Sequence, residues 1–228
     1  KRERFISAAL STLVPCAARL AVVFGLVAFY LGPVLALVIY LFDLFVIAIT
    51  AQILNRFLPG ASPGLILEMP VYRVPTIRTV AHKAWWRIKE FILEAWPLLI
   101  VGSIVLAILH YLNLADILNG IVRPLSWALG LPNEVGVPLI FGVLRKELSL
   151  VMLGQALGSM NFSQVLTPIQ MITYAVFVVF YIPCLATMLV IKKELGSKEM
   201  WFIAGLTTLV ATLAALIARG LATLIFSV

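Results

Sequence analysis

An almost unbroken apolar run, from residue 13 to residue 54, limits the folds open to this chain. The run is interrupted by three charged or amide side chains, Arg19, Asp43 and Gln52. About 20 apolar residues are enough for a helix to cross the hydrocarbon core of a bilayer. The run therefore predicts two membrane-spanning helices, near 13–30 and 34–54, with a turn at Gly32 and Pro33 between them.

The composition extends this conclusion to the whole chain of 228 residues. Hydrophobic residues make up 63% and charged residues 12%, and the mean hydropathy is +1.10. A soluble domain, with about half apolar and about a quarter charged residues, could not bury so much apolar surface. We therefore expect an all-α, polytopic membrane protein, and we exclude a soluble enzyme, a nucleic-acid-binding protein and a disordered linker. The net charge of +7 is attributed to cytoplasmic loops facing anionic lipid headgroups.

Further apolar segments are predicted at 97–112, 135–158, 165–191 and 200–226. Because basic residues favour the cytoplasmic side, their positions predict the topology. With a cytoplasmic N-terminus, a full crossing by 135–158 would leave Lys192, Lys193 and Lys198 outside. We therefore predict five full spans and one broken or re-entrant segment. Five basic residues are then not cytoplasmic, namely Arg19, Arg123, Arg145, Lys146 and Arg219.

Three regions follow from this reading. Residues 1–54 contain two spans, residues 55–95 form a cytoplasmic connector, and residues 96–228 contain the remaining spans. The connector begins with a Pro- and Gly-rich stretch at 55–75, which no continuous helix would tolerate. Residues 76–94 then mix basic and aromatic side chains at helical spacing. This mixture favours an amphipathic helix at the membrane interface over the alternative, a solvated face of the connector.

The segments 14–22 and 182–190 share the pattern Pro-Cys-x-Ala, and in the predicted topology they run in opposite directions. Paired, broken segments of opposite direction are typical of inverted-repeat transporters. Each proline also frees a backbone carbonyl four residues earlier, that of Ser11 or Val179. A thiol beside a free carbonyl suits a borderline divalent transition metal better than Na⁺ or Mg²⁺. Alternatively, Cys16 and Cys184 are simply small buried apolar residues.

Two carboxylates also lie in apolar segments. A charged group at membrane depth costs several kcal/mol, about 2.5–3.5 on insertion scales, and persists only when it is paired or coordinating. Glu147 therefore predicts a bound cation, or alternatively a salt bridge to Arg19 or Arg219. Asp43 is expected to bond to a neighbouring helix. The sequence has neither a phosphate-binding loop nor a nucleophile–base pair at a recognisable spacing, so we expect no enzymatic activity.

Several stretches, in this order and over nearly the whole chain, resemble the C-terminal membrane region of the ferrous iron transporter B (FeoB) family, which contains paired Gate segments. They are Lys1-Arg2-Glu3-Arg4 leading into Pro15-Cys16-x-Ala-Arg19-Leu20, the stretch from Glu68 to Arg78, Gly142-x-x-Arg145-Lys146-Glu147, and Tyr181-x-Pro183-Cys184-x-Ala-Thr187 followed by Lys193-Glu194-Leu195-Gly196.

This resemblance implies Fe²⁺ uptake across a prokaryotic inner membrane, with Fe²⁺ as the transported substrate. It implies that Cys16 and Cys184 are metal ligands in the two Gates and that Glu147 is the Gate carboxylate. Residues 1–54 would then hold the remainder of the first Gate, and residues 96–228 the second.

The resemblance also implies partners beyond the lipid bilayer. A cytoplasmic GTPase would lie on a missing N-terminal part or on a separate chain, so that GTP acts only through that domain. The chain would then be a multi-pass inner-membrane protein with a cytoplasmic N-terminus, compatible with a homo-oligomer.

Two alternatives remain at this point. Gate-like segments also occur in nucleoside transporters and spore maturation proteins, so the chain could carry another substrate such as a nucleoside. It could also be a non-transporting membrane scaffold that binds a GTPase through residues 55–95. A carrier of a polar organic substrate would need hydrogen-bonding side chains, whereas a scaffold would tolerate the loss of Glu147.

Overall fold

The computed structural model describes residues 2–57, 76–111, 115–144, 146–159 and 161–226, and every regular element in these ranges is a helix. This confirms the predicted all-α fold. The α-helices are α1 (Arg2–Leu13), α2 (Ala17–Val22), α3 (Phe29–Leu31), α4 (Pro33–Phe57), α5 (Ile77–Tyr111), α6 (Ala115–Leu129), α7 (Gly136–Leu144), α8 (Lys146–Ala156), α9 (Phe162–Val165), α10 (Pro168–Phe180), α11 (Leu185–Glu194) and α12 (Ser197–Phe226). A π-helix (Val23–Ala28) joins α2 to α3, and a 3-10 helix (Asn133–Val135) precedes α7.

Four segments of the described chain are long and apolar enough to cross a membrane. They are Glu3–Leu31, Pro33–Phe57, Pro168–Glu194 and Ser197–Leu224, and they confirm four of the predicted spans. The first begins well before the predicted residue 13, because Ile6, Ala9 and Leu13 form a buried helical face that the flanking charges obscured.

Helix α5 runs without interruption from the predicted amphipathic segment into the predicted span at 97–112. It contains Pro97, and the predicted boundary between residues 95 and 96 falls inside it. At its N-terminal end Trp85 and Trp86 are exposed, and the indole Nε1 of Trp86 donates to Nε2 of His82 at 3.0 Å. Residues 58–75, predicted to be irregular, lie outside the described residues.

Helices α7 and α8 form a hairpin, as the predicted re-entrant segment requires. A Cβ atom added to Gly142 would lie 3.0 Å from the Cβ of Ser149. In a straight helix, residues 142 and 149 would lie about 10 Å apart along the axis. Their close approach therefore means that the chain reverses direction between them. The two helices pack against each other, and α8 also packs against α2.

Helix α10 lies at the centre of the fold. Ten consecutive residues, 171–180, are buried on every side of this helix, which packs chiefly against α12 and also against α2 and the π-helix. A second apolar cluster joins Ile6, Leu54, Met188 and Ile203. It places the start of α1, the end of α4, helix α11 and the start of α12 at the same end of the molecule. The predicted topology requires this arrangement.

Candidate functional site

Two of the candidate spans are broken, each at a Pro-Cys pair. The first break separates α1 from α2, and Cys16 is the N-cap residue of α2. The second separates α10 from α11, and Cys184 is the N-cap residue of α11. Both cysteines have extended backbone angles, and neither side chain caps its helix through a hydrogen bond. Each thiol is therefore held at the start of a half-helix without a role in capping it.

Neither cysteine forms a disulfide, and neither is fully buried. Cys16 is exposed and Cys184 is half-buried. The Sγ atom of Cys184 lies 3.1 Å from Oγ1 of Thr187, one turn further along α11. Neither thiol is therefore the fully buried apolar cysteine of the alternative interpretation.

The carbonyl groups at the first break are bound by Arg19. Its Nη1 atom donates to the carbonyl oxygens of Thr12 at 2.6 Å, Leu13 at 3.2 Å and Val14 at 3.3 Å. The last carbonyls of an α-helix have no partner within the helix and carry partial negative charge. The guanidinium, only 4% exposed, therefore satisfies the end of α1.

Lys146 binds the backbone carbonyls at the second break, as Arg19 does at the first. Its Nζ atom donates to the carbonyl oxygens of Val178 at 2.9 Å and Tyr181 at 3.3 Å, and lies 3.9 Å from the centre of the Tyr181 ring. The side chain is 2% exposed. The two breaks thus share one plan, in which a buried cation binds carbonyls at the end of the first half-helix and a cysteine begins the second.

The carbonyls at the two breaks were expected to be free to bind a metal, and several of them are instead bound by the two cations. The prolines point to the carbonyls of Ser11 and Val179, whereas the two cations bind neighbouring carbonyls, three at the first break and two at the second. A metal at either break would therefore compete with a protein cation for oxygen ligands.

The two breaks are close to each other. Arg19 interacts electrostatically with Cys16 and Cys184, and so does Lys146; the two cations also act on each other. Helix α2 packs against both α8 and α10, which bring Lys146 and the second break to the first. The structure thus gathers two thiols around two buried positive charges. Soft thiols and hard carbonyl oxygens are the ligand types expected for a borderline divalent metal.

The backbone of Glu147 lies in α8, next to Lys146, and its side chain lies outside the described part of the chain. Its role as a ligand stays a prediction. Among the described residues, no group of three His, Cys, Asp or Glu side chains is placed to hold a metal.

Asp43 differs from the expectation. The residue is 2% exposed, and neither of its carboxylate oxygens has a hydrogen-bond partner among the described residues. The predicted bond to a neighbouring helix is therefore wrong. Arg19 acts on this carboxylate electrostatically, although its hydrogen bonds go to the end of α1.

Sequence reasoning overlooked Lys146 and Tyr181. The argument applied to Glu147, that a charge in an apolar segment must have a partner, applies equally to the lysine beside it. Tyr181 carries no such signal. Its hydroxyl donates to the carbonyl of Leu139 at 2.8 Å, and Gly142 leaves room for it, so this side chain ties the second break to the α7–α8 hairpin.

Comparisons with known proteins cover most of the chain. Residues 36–87 match the family described as the C terminus of ferrous iron transport protein B, and residues 92–198 match the Gate family, described as nucleoside recognition. No solved structure matches.

Several curated relatives are named Fe(2+) transporter FeoB. The one from Methanocaldococcus jannaschii is 26% identical, and the match covers 99% of this chain and 38% of the relative. The relative from Synechocystis sp. is 32% identical, and the match covers 86% of this chain and 35% of the relative. The relative from Staphylococcus aureus strain COL is 25% identical, and the match covers 85% of this chain and 32% of the relative. The chain thus spans about a third of the length of these relatives.

Proposed function

We propose that this chain, which belongs to the ferrous iron transport protein B family, forms the membrane part of a transporter that passes Fe²⁺ across the cell inner membrane. The observation that carries the proposal is the pair of Pro-Cys breaks. They interrupt two candidate spans, and their thiols act on the same two buried cations. Non-helical backbone at membrane depth is tolerated where it is surrounded by protein or lines a polar cavity, as a transport path does.

Fe²⁺, as the substrate, exchanges part of its water shell for the thiols of Cys16 and Cys184 and the carboxylate of Glu147. A metal binds the thiolate form of cysteine, so each Fe²⁺–sulfur bond displaces a thiol proton. Affinity for Fe²⁺ then falls as the pH is lowered, because protons compete for the same sulfur atoms.

The energy source lies in a cytoplasmic GTPase, which belongs to the longer protein or to a separate chain. Nucleotide hydrolysis there moves the broken segments, and this chain performs no chemistry on GTP. Residues 1–54 contribute the remainder of the first Gate, residues 55–95 connect the two parts on the cytoplasmic side, and residues 96–228 contain the second Gate. The N-terminus of the chain is cytoplasmic.

Anaerobic Fe²⁺ titration of the purified chain tests the proposal. The wild type is compared with a triple variant, Cys16→Ser/Cys184→Ser/Glu147→Gln, and with a control, Glu134→Gln, which alters an exposed carboxylate of the 3-10 helix. We expect the triple variant to lose at least tenfold in affinity, where each tenfold corresponds to about 1.4 kcal/mol. The control should bind as the wild type does. Equal binding in all three proteins would contradict the proposal.

The description of the Gate family favours one second candidate, a carrier of nucleoside-like substrates. Such a substrate would bind through hydrogen-bonding side chains and would not need the two thiols. Nucleosides added to the same titration distinguish the candidates. A nucleoside carrier binds them in the triple variant without metal, whereas an iron transporter shows no such binding.

A further inference from the structure

The carboxylate of Asp43 is the least satisfied polar group in the described part of the chain. Both of its oxygens are buried without a hydrogen-bond partner, on the inner face of α4. Removing an ionised carboxylate from water is costly unless a cation or hydrogen-bond donors replace the water. A buried group left in this state calls for an explanation, such as a role in a second state of the protein.

One cation is placed to pair with Asp43. Arg19 is itself buried and acts on this carboxylate through space. In the structure, however, Nη1 of Arg19 binds the three carbonyls at the end of α1. The guanidinium thus gives its hydrogen bonds to the α1 carbonyls and none to the Asp43 carboxylate, so a contact pair with Asp43 requires Arg19 to move.

We propose that Asp43 is a positioning residue for metal binding, onto which Arg19 moves when Fe²⁺ reaches the first break. The movement exposes the carbonyls of Thr12, Leu13 and Val14, which then become oxygen ligands beside the thiol of Cys16. The inference rests on the proposed function and deepens it by naming the ligands and the residue that releases them.

The charges give the movement its direction. An arriving Fe²⁺ repels the guanidinium and attracts the carbonyl dipoles that the guanidinium occupies. The buried carboxylate offers Arg19 a negative partner, and in a low-dielectric interior a contact pair is more stable than two separated charges. Asp43 thereby lowers the cost of vacating the carbonyls.

The second break lacks this arrangement. Lys146 binds two carbonyls and lies over the ring of Tyr181, and the groups that act on it electrostatically are Arg19 and the two cysteines. Among the described carboxylates, none acts on Lys146. The exchange of partners is therefore proposed for the first break.

The first test is the Fe²⁺ affinity of Asp43→Asn, which keeps the shape of the side chain and removes its charge. We expect affinity to fall about tenfold, equivalent to about 1.4 kcal/mol, because Arg19 no longer leaves the carbonyls as readily. Thr50→Val is the matched control. It alters a buried polar residue on the same face of α4, whose hydroxyl donates only to the carbonyl of Val46, and it should bind as the wild type does.

The second test reports on Asp43 directly. An infrared difference spectrum between the Fe²⁺-bound and metal-free chain should contain a shifted carboxylate band, because the group gains guanidinium hydrogen bonds. The band is assigned to Asp43 by its loss in Asp43→Asn. The shift should also vanish in Cys16→Ser/Cys184→Ser/Glu147→Gln, which leaves Asp43 intact but does not retain the metal.

The inference requires both results. Unchanged affinity in Asp43→Asn would overturn it and leave the proposed function standing. A loss of affinity without a band shift would mean that Asp43 only supports the fold, and would overturn it as well. Failure of the wild-type chain to bind Fe²⁺ would overturn the proposed function, and the inference with it.

Discussion

In the described part of the chain, three cationic side chains bind the carbonyl ends of helices. Arg19 binds the end of α1, Lys146 the end of α10, and Arg219 the carbonyl of Ala128 in α6 at 2.9 Å. All three belong to the five basic residues that the predicted topology leaves outside the cytoplasm. A cation removed from water needs acceptors, and a helix end supplies several at once. Their departure from the positive-inside pattern thus has a structural cause.

We expect Lys146→Met to destabilise the chain by about 1–3 kcal/mol. The substitution keeps most of the unbranched apolar stem but leaves the carbonyls of Val178 and Tyr181 without this donor. We expect that loss to outweigh the relief of burying one charge fewer. Thermal unfolding in detergent, followed by circular dichroism, measures the effect. Lys198→Met, at an exposed position of α12, serves as the control and should unfold like the wild type. Equal stability of the two variants would contradict the capping role.

Gly142→Ala and Gly205→Ala should have opposite effects on stability. A Cβ atom at position 142 would collide with the hydroxyl of Tyr181 and press on Ser149. A Cβ atom at position 205 would have none of the described atoms within 4 Å, apart from those of its own helix backbone and chain neighbours. Overpacking costs about 1–3 kcal/mol, while alanine in an open helix position gains up to about 1 kcal/mol. The same unfolding measurement applies. A stabilised Gly142→Ala would show that Tyr181 does not hold the hairpin.

At the scale of elements, the sequence predicted where the two helices are broken, but not which side chains bind the broken ends. Proline at positions 15 and 183 removes a backbone donor, so an interruption of each helix follows from the sequence. The cations that bind the broken ends come from different places. Arg19 lies in the next half-helix, but Lys146 reaches its carbonyls from 32 and 35 residues away. Local sequence patterns could therefore identify Arg19 as the cation at its break, but not Lys146.

Pro183→Ala should weaken Fe²⁺ binding by about tenfold, equivalent to about 1.4 kcal/mol. The alanine N–H can bond to the carbonyl four residues earlier, so α10 can continue into α11 and draw Cys184 into a helix interior. Anaerobic titration gives the affinity, and the rate of Cys184 alkylation should fall in parallel. Pro168→Ala is the matched control, since the first position of a helix needs no such bond. Wild-type affinity in Pro183→Ala would show that the break does not depend on its proline.

For the whole molecule, the structure brings four segment ends together that the topology assigns to one side of the membrane. Phe5 at the start of α1 lies 5.6 Å, between ring centres, from Phe202 near the start of α12. Leu54 and Met188 join the same apolar cluster. Charge counting and packing, which are independent arguments, thus agree on which ends lie together.

We expect Ser197→Cys and Ser163→Cys to be labelled from opposite faces of the membrane. These exposed positions flank the candidate span Pro168–Glu194, and the positive-inside rule assigns position 197 to the cytoplasm. A membrane-impermeant maleimide applied to oriented vesicles, in a Cys16→Ser/Cys184→Ser background, measures the sidedness. Labelling of both positions from one face would contradict the predicted topology.

Apolar run length and the Pro-Cys pairs were sufficient to predict four spans, the two breaks and the reversal within 135–158, because these depend on local hydrophobicity, backbone donors and the count of basic residues. They also led to Cys16 and Cys184 as candidate ligands. The convergence of both thiols on Arg19 and Lys146, the tie from Tyr181 to the hairpin and the unpaired state of Asp43 came from the folded chain. Each of these depends on which side chains meet between helices distant in sequence. Such contacts are set by packing, and no local pattern encodes them.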